Sequence, residues 1–211
     1  MSTEIVKDII CPQCGESQKY QLFSGINVRE NPEFKQRILD ETLFDWRCKR
    51  CNYFAAMAYP FLYTDPIAGY VVSVAPLGTN GEIEPTEAIK DYVKRAVKNL
   101  AELKEKIMIF DAGYDDVAVE LVKNALCGII KNTYKVSRVH AYFSRIDERD
   151  NEMEFAIFLP RQTEPVYHST KLDVYKQSQE VLRTLDFVDP EGFIRVDAKL
   201  ARQIIAEYQN I

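Results

Sequence analysis

Two cysteine pairs of identical spacing constrain this chain more than any other feature of its sequence: Cys11-Pro12-Gln13-Cys14-Gly15 and Cys48-Lys49-Arg50-Cys51-Asn52. Two thiolates separated by two residues on a tight turn can both reach one ion about 2.3 Å away, with the turn's N–H groups pointing at the sulfurs. The residue after the second cysteine often needs a positive φ, which Gly adopts freely and Asn tolerates next best. Gly15 and Asn52 hold those two positions. The agreement of both pairs points to one tetrathiolate metal site formed by Cys11, Cys14, Cys48 and Cys51. A redox Cys-x-x-Cys needs only one pair and opens a helix after a strand; neither pair here directly precedes an amphipathic helical pattern.

A tetrahedral set of four sulfurs suits Zn2+ first, in a structural role. Iron is the minor alternative, because the first knuckle resembles those of rubredoxins while the second lacks both Pro and Gly. Four protein sulfurs leave no coordination position for water or substrate, so hydrolytic metal chemistry is not expected. Arg47, Lys49 and Arg50 flank the second pair. They are read as balancing the charge of the thiolates, with an acidic partner as the other reading.

The 33 residues between the pairs carry a helix signal of their own. Asn31 can cap, Pro32 suits the first helical position, Phe34 and Ile38 share an apolar face, and Glu33 with Arg37 forms an i,i+4 pair. The insert reads as strand, short helix, strand, with Tyr20, Leu22 and Ile26 in the first strand region and Leu43 to Arg47 in the second. Asn52 to Tyr63 is apolar on both alternating faces and reads as one strand covered on both sides, its tyrosines core rather than a base-stacking stripe. Tyr70 to Val74 reads as another buried strand. The turn-rich stretch Leu77 to Pro85 is the boundary candidate, dividing a ribbon-like module over 1–80 from an α+β region over 81–211.

In the second part Ile89, Tyr92, Val93, Ala96, Val97, Leu100 and Leu103 fall at helical spacing, which predicts a long amphipathic helix. A second helix is expected over Asp116 to Lys131, with an inward stripe of Leu121, Val122, Ala125, Leu126 and Ile129 and with Cys127 as a buried small hydrophobe. Val136 to Ile146 and Met153 to Leu159 predict a hairpin. Ser169 or Thr170 is read as the cap of a helix reaching Leu185, Phe193 to Val196 as a short strand, and Asp197 as the cap of a final helix with Leu200, Ile204 and Ile205 inward.

The formal net charge of −5 disfavours a broad basic face for nucleic acid, although a local patch survives such an average. The apolar stretch from Cys51 to Gly81 is broken by Pro60, Pro66 and Pro76, which excludes a membrane span. Glu4, Lys7 and Asp8 near the start argue against a signal peptide, and a cytosolic address is expected. His140 and His168 form no nucleophile or metal spacing, and no phosphate-binding glycine loop or nucleophile elbow is present. No enzyme activity is expected.

Several of these residues carry a resemblance. Cys11-Pro12-Gln13-Cys14, Ile26-Asn27-Val28, Asn31-Pro32-Glu33, the pair Cys48 and Cys51, and Tyr59-Pro60 through Tyr63-Thr64-Asp65-Pro66 together resemble the CpXC protein family of bacteria and archaea. Lys106-Ile107, Phe110-Asp111-Ala112-Gly113 and Tyr114-Asp115-Asp116 are similar to its continuation, so the resemblance covers roughly 9–130. Lys49 stands where the family motif has Pro. The resemblance implies a cysteine-bound metal in a prokaryotic protein and names no substrate. The expectation is therefore an α+β protein whose N-terminal zinc-ribbon-like β module, with an inserted helix, is followed by a C-terminal helix and β-hairpin region. A protein partner is the favoured role, and nucleic acid the alternative.

Overall fold

A computed structural model describes residues 2–76 and 87–211. The boundary candidate at Leu77 to Pro85 therefore lies outside the described residues. These residues group into two compact units, Met1–Lys104 with Pro190–Ile194, and Glu105–Asp189 with Arg195–Ile211. The chain is α+β, as its pattern of elements implies.

The first unit contains β1 (Thr3–Ile10), β2 (Ser17–Asn27), α1 (Pro32–Leu39), β3 (Asp45–Arg47), β4 (Phe54–Ala56), β5 (Phe61–Asp65), β6 (Tyr70–Val74), a one-turn 3-10 helix (Glu87–Ile89) and β7 (Val93–Val97). Five strands form one sheet in the order β1-β2-β5-β6-β7, and β3 pairs with β4 in a separate hairpin. The β2–β5 and β6–β7 pairs are parallel, the β1–β2 and β5–β6 pairs antiparallel. The core is apolar and aromatic: Ile26, Phe61, Tyr63, Tyr70, Val71 and Val72 are fully buried. Helix α1 forms where the Asn-Pro start and the Phe34, Ile38 face indicate, and Phe23 packs on Phe34 with ring centroids 4.8 Å apart, but Asn31 makes no side-chain capping bond: its amide donates to Glu33 Oε1 at 3.3 Å instead. Asp65 closes the β5–β6 turn by accepting N–H bonds from Ile67 and Ala68, and Lys35 lies 2.9 Å from its other oxygen. Burial alone would raise this carboxyl, but the Ala68 N–H and then Lys35 hold it below the usual range.

Two expectations fail in this unit. The single covered strand over Asn52 to Tyr63 is two strands in different sheets, β4 and β5, and Tyr53 and Phe54 are exposed while Phe61 and Tyr63 are buried. The long helix over Ile89 to Leu103 is absent. A 3-10 turn and β7 occupy its first part, because β6 offers Val93–Val97 a full parallel ladder that outweighs local periodicity. The helix that follows, α2 (Leu100–Asp111), is capped by Asn99, whose Oδ1 accepts the Glu102 N–H at 2.8 Å, while Glu102 Oε2 accepts the Lys98 N–H at 2.7 Å. The outer edge of β7 is closed by Ile194, whose carbonyl accepts the Ala96 N–H at 2.8 Å. This single bridge is what remains of the strand expected at Phe193 to Val196.

The second unit contains the rest of α2, α3 (Asp116–Tyr134), β8 (His140–Asp147), β9 (Glu152–Phe158), β10 (Val166–Lys171), α4 (Leu172–Thr184) and α5 (Ala198–Tyr208). The expected β8–β9 hairpin is present. Ser169 and Thr170 lie within a third strand, β10, which pairs antiparallel with β9, so α4 begins after Lys171 instead. Asp115 caps α3 through the N–H groups of Val117 and Ala118, and Asp197 caps α5 in the same way.

The buried face of α3 differs from the expected stripe. Val117, Ala118, Val119, Leu121, Val122 and Ile130 are buried, whereas Ala125 and Ile129 face solvent and Cys127 is only half-buried. The helix is turned this way because it also buries charge. Asp116 takes the ammonium of Lys106 at 2.7 Å. Lys123 donates to both oxygens of Glu105, at 2.8 and 2.9 Å, and reaches Glu120 at 2.7 Å. The Phe143 N–H donates to Glu105 as well, at 2.7 Å.

Helix α3 ends on Lys135, a non-glycine residue at φ 52. This left-handed position costs an L side chain about 1–2 kcal/mol, while glycine adds back about 0.5–1 kcal/mol of unfolded-chain entropy. Lys135→Gly is expected to stabilise the protein by about 0.5–1 kcal/mol, read as a raised denaturation midpoint. A lowered midpoint would show that the Lys135 side chain matters more than its backbone.

Candidate metal centre

Both cysteine pairs sit on hairpin turns. Residues 11–16 join β1 to β2, and residues 48–53 join β3 to β4. The two turns repeat the same backbone bonds. Cys11 N–H donates to Glu16 O at 2.8 Å and Gly15 N–H to Cys11 O at 3.0 Å; Cys48 N–H donates to Tyr53 O at 2.8 Å and Asn52 N–H to Cys48 O at 3.0 Å. Each turn closes through a residue of positive φ, Gly15 at 72 and Asn52 at 59. The turn lacking the usual Pro and Gly therefore has the same geometry as the other, and Asn52 is the residue that permits it. Asn52→Gly is expected to keep metal affinity. Asn52→Val forces a β-branched residue into this region and should weaken metal retention by roughly tenfold or more, for a strain of about 1–2 kcal/mol. Competition with a chelator measures both, and equal retention by the two variants would refute the assignment.

The four sulfurs converge. Cys11 and Cys51 lie 3.6 Å apart, Cys14 and Cys48 3.6 Å apart, and all four within 4.8 Å of one another. A tetrahedral ion with metal–sulfur bonds of about 2.3 Å requires sulfurs about 3.8 Å apart. The donor set therefore fits a tetrahedral thiophilic ion, with each turn contributing one buried sulfur, Cys11 or Cys48, and one partly exposed sulfur, Cys14 or Cys51.

Backbone N–H groups meet the charge on the sulfurs. Those of Cys51 and then Arg50 hold the Cys48 thiol down to about 7. At Cys51 the Tyr53 N–H pulls the other way from burial and three neighbouring sulfurs, which together push the thiol up to about 12. At Cys14 the Glu16 N–H, and more weakly Cys51, pull down against burial and the sulfurs of Cys48 and Cys11, and the thiol is raised on balance. A cation in the centre replaces these protons, so metal binding releases them and is favoured as pH rises.

Two of the three flanking cations have partners of their own. Arg50 reaches Glu16 at 3.4 Å, and Arg47 lies over the Phe54 ring at 5.4 Å. Two residues absent from the sequence reading support the centre. Gln18 ties the hairpins together, its Nε2 donating to Arg47 O and its Oε1 accepting from Lys49 N–H, both at 3.1 Å. Trp46, buried between Cys11 and Cys48, forms the floor with Ile9, Tyr20, Ala55 and Met57 around it. Gln18 carried no signal, whereas Trp46 could have been found from its alternation with exposed Asp45 and Arg47.

Cys127 lies apart on α3, where burial raises its thiol. His140 opens β8 exposed, and His168 packs edge-on against Tyr134 with ring centroids 6.2 Å apart. No helix among the described residues is long and apolar enough to cross a membrane. No curated protein and no solved structure matches the chain. The family model of the CpXC proteins matches residues 9–123, more than half of the 211 residues and both cysteine turns, and the chain belongs to the CpXC protein family.

Proposed function

We propose that the four-cysteine centre holds one zinc ion as a structural rivet, and that the protein serves as a cytosolic, non-enzymatic protein-interaction module. The observation that carries this reading is the convergence of four sulfurs from two like turns within 4.8 Å of one another, enough donors to fill a tetrahedral ion's coordination and leave it no position for substrate. Its task is then to fix two hairpins, one of which has strands of only three residues each. Element analysis of the purified chain tests the metal: one zinc per chain is expected, and iron with a thiolate-to-metal absorption band would overturn zinc. Size-exclusion light scattering of co-purified assemblies tests the role, a defined protein complex being expected.

A ribbon that contacts nucleic acid is the second reading, favoured by exposed Phe54 beneath Arg47 at 5.4 Å with Lys49 and Arg50 nearby. Binding to single-stranded oligonucleotides that weakens steeply with salt would displace the first reading.

A further inference from the structure

We propose that the outer edge of β1 is a docking site for an extended segment of another protein, which adds antiparallel as a sixth strand and carries the pattern apolar-apolar-basic-acidic-apolar-apolar. This deepens the interaction role proposed above and rests on it. The five-stranded sheet has two ends, and they are treated differently. The β7 end is closed by the bridge to Ile194. The β1 end has β2 as its one strand neighbour among the described residues, and every residue of β1 except Ile9 is exposed. Ile5 is 40%, Val6 63% and Ile10 69% exposed, on an eight-residue strand without proline. Such an edge presents a row of outward N–H and C=O groups that a further strand can satisfy.

The charges on β1 select the occupant. Two copies with one open edge each can pair antiparallel only about a two-fold axis normal to the sheet, which keeps every residue on its own face. Directly opposed residues share a face, so their numbers must sum to an even value. The two such registers that pair seven of the eight residues set Glu4 against Asp8 twice, or Lys7 against Lys7. Parallel pairing about a two-fold axis turns the second sheet over and puts like residues at one level on opposite faces, which no parallel ladder allows. A second copy of this chain is therefore disfavoured at the edge.

A separate strand has no sheet behind it and can turn either face up, so odd sums are open to it. In the register summing to 15, a strand reading Ile-Val-Lys-Asp-Ile-Ile places its lysine opposite Asp8 and its aspartate opposite Lys7. Its four apolar residues then fall opposite Ile5, Val6, Ile9 and Ile10. The first cysteine turn directly follows Ile10, so the metal also holds this edge in place.

The test uses the full metal-loaded chain and two labelled synthetic peptides, Ile-Val-Lys-Asp-Ile-Ile and the charge-exchanged Ile-Val-Asp-Lys-Ile-Ile, followed by fluorescence anisotropy. The first is expected to bind on the order of tenfold more tightly, because the exchange turns two attractive opposed pairs into two repulsive ones. The double variant Lys7→Asp with Asp8→Lys, both exposed positions, is expected to reverse the preference while keeping its metal content. Absence of binding by either peptide, or a preference that the double variant does not reverse, overturns the docking site. So does a dimer of the chain that Val6→Lys dissolves, since a second copy would then occupy the edge. Metal content is read on the same samples, so loss of the docking site is distinguishable from loss of the structural metal.

Discussion

Chelation of the metal is expected to unfold the N-terminal unit rather than loosen it. Structural zinc supplies on the order of 10–16 kcal/mol of apparent binding free energy, against a total stability of about 5–15 kcal/mol for a domain. The hairpin holding the second turn has two strands of three residues each, and a two-stranded hairpin is marginal by itself. Trp46 is the only tryptophan in the chain and is 4% exposed beside Cys11 and Cys48, so its emission reports the event directly. Excess chelator at neutral pH should move that emission to the red. Serine at any of Cys11, Cys14, Cys48 or Cys51 should produce the same spectrum without chelator. Cys127→Ser should retain metal and change stability by less than about 1 kcal/mol, since a half-buried thiol loses little on this exchange. Acid acts in the same direction as chelator. Protons compete for thiols that burial and neighbouring sulfurs hold high at Cys14 and Cys51, so metal retention falls with falling pH. A metal-free chain with unshifted Trp46 emission and intact sheet structure would show that the centre is dispensable to the fold.

The four-cysteine cluster was legible because the geometry of each turn is local. The knuckle is set within six residues, and the requirement for positive φ after the second cysteine can be read from Gly15 and Asn52 alone. The start of α1 and the cap at Asp197 are local in the same sense. Legibility ended where partners distant in sequence decide the outcome. Val93 to Val97 has a spacing that suits either a helix or a strand, and β6, some twenty residues earlier, settles it by supplying a ladder. The N-terminal strand β1 alternates weakly, and its position comes from pairing across the first cysteine turn. One local signal was present and unused: Asn99 is an N-cap residue whose Oδ1 accepts the Glu102 N–H, and it marks the start of α2 inside what reads as one longer helix. On α3 the sequence pattern selects an apolar stripe, but the helix buries Glu120 and leaves the Lys123 side chain only 11% exposed, because Glu105 of α2 lies opposite.

That buried charge makes Lys123 the residue of the second unit whose loss should cost most. Burial alone would push its ammonium down, but Glu105 first and Glu120 next hold it above the ordinary lysine range. Lys123→Met keeps most of the side-chain volume and removes the only cation that bridges Glu105 to Glu120 among the described contacts. Two buried carboxylates then face each other, and breaking a buried ionic cluster in this way costs about 3–5 kcal/mol. The pH dependence fixes the mechanism. In the variant Glu120, which burial already pushes up, loses the Lys123 charge that opposed that shift and stands further above its unfolded value. The folded state then binds more protons than the unfolded one, so stability is lost as pH rises and is recovered as pH falls from about 7 toward about 5. Adding Glu120→Gln should restore most of the deficit at neutral pH by removing one of the two charges. Denaturant titrations of the second unit at both pH values read all three outcomes. A deficit in Lys123→Met that is the same at both pH values, and that Glu120→Gln leaves unchanged, would assign the cost to packing instead of to charge.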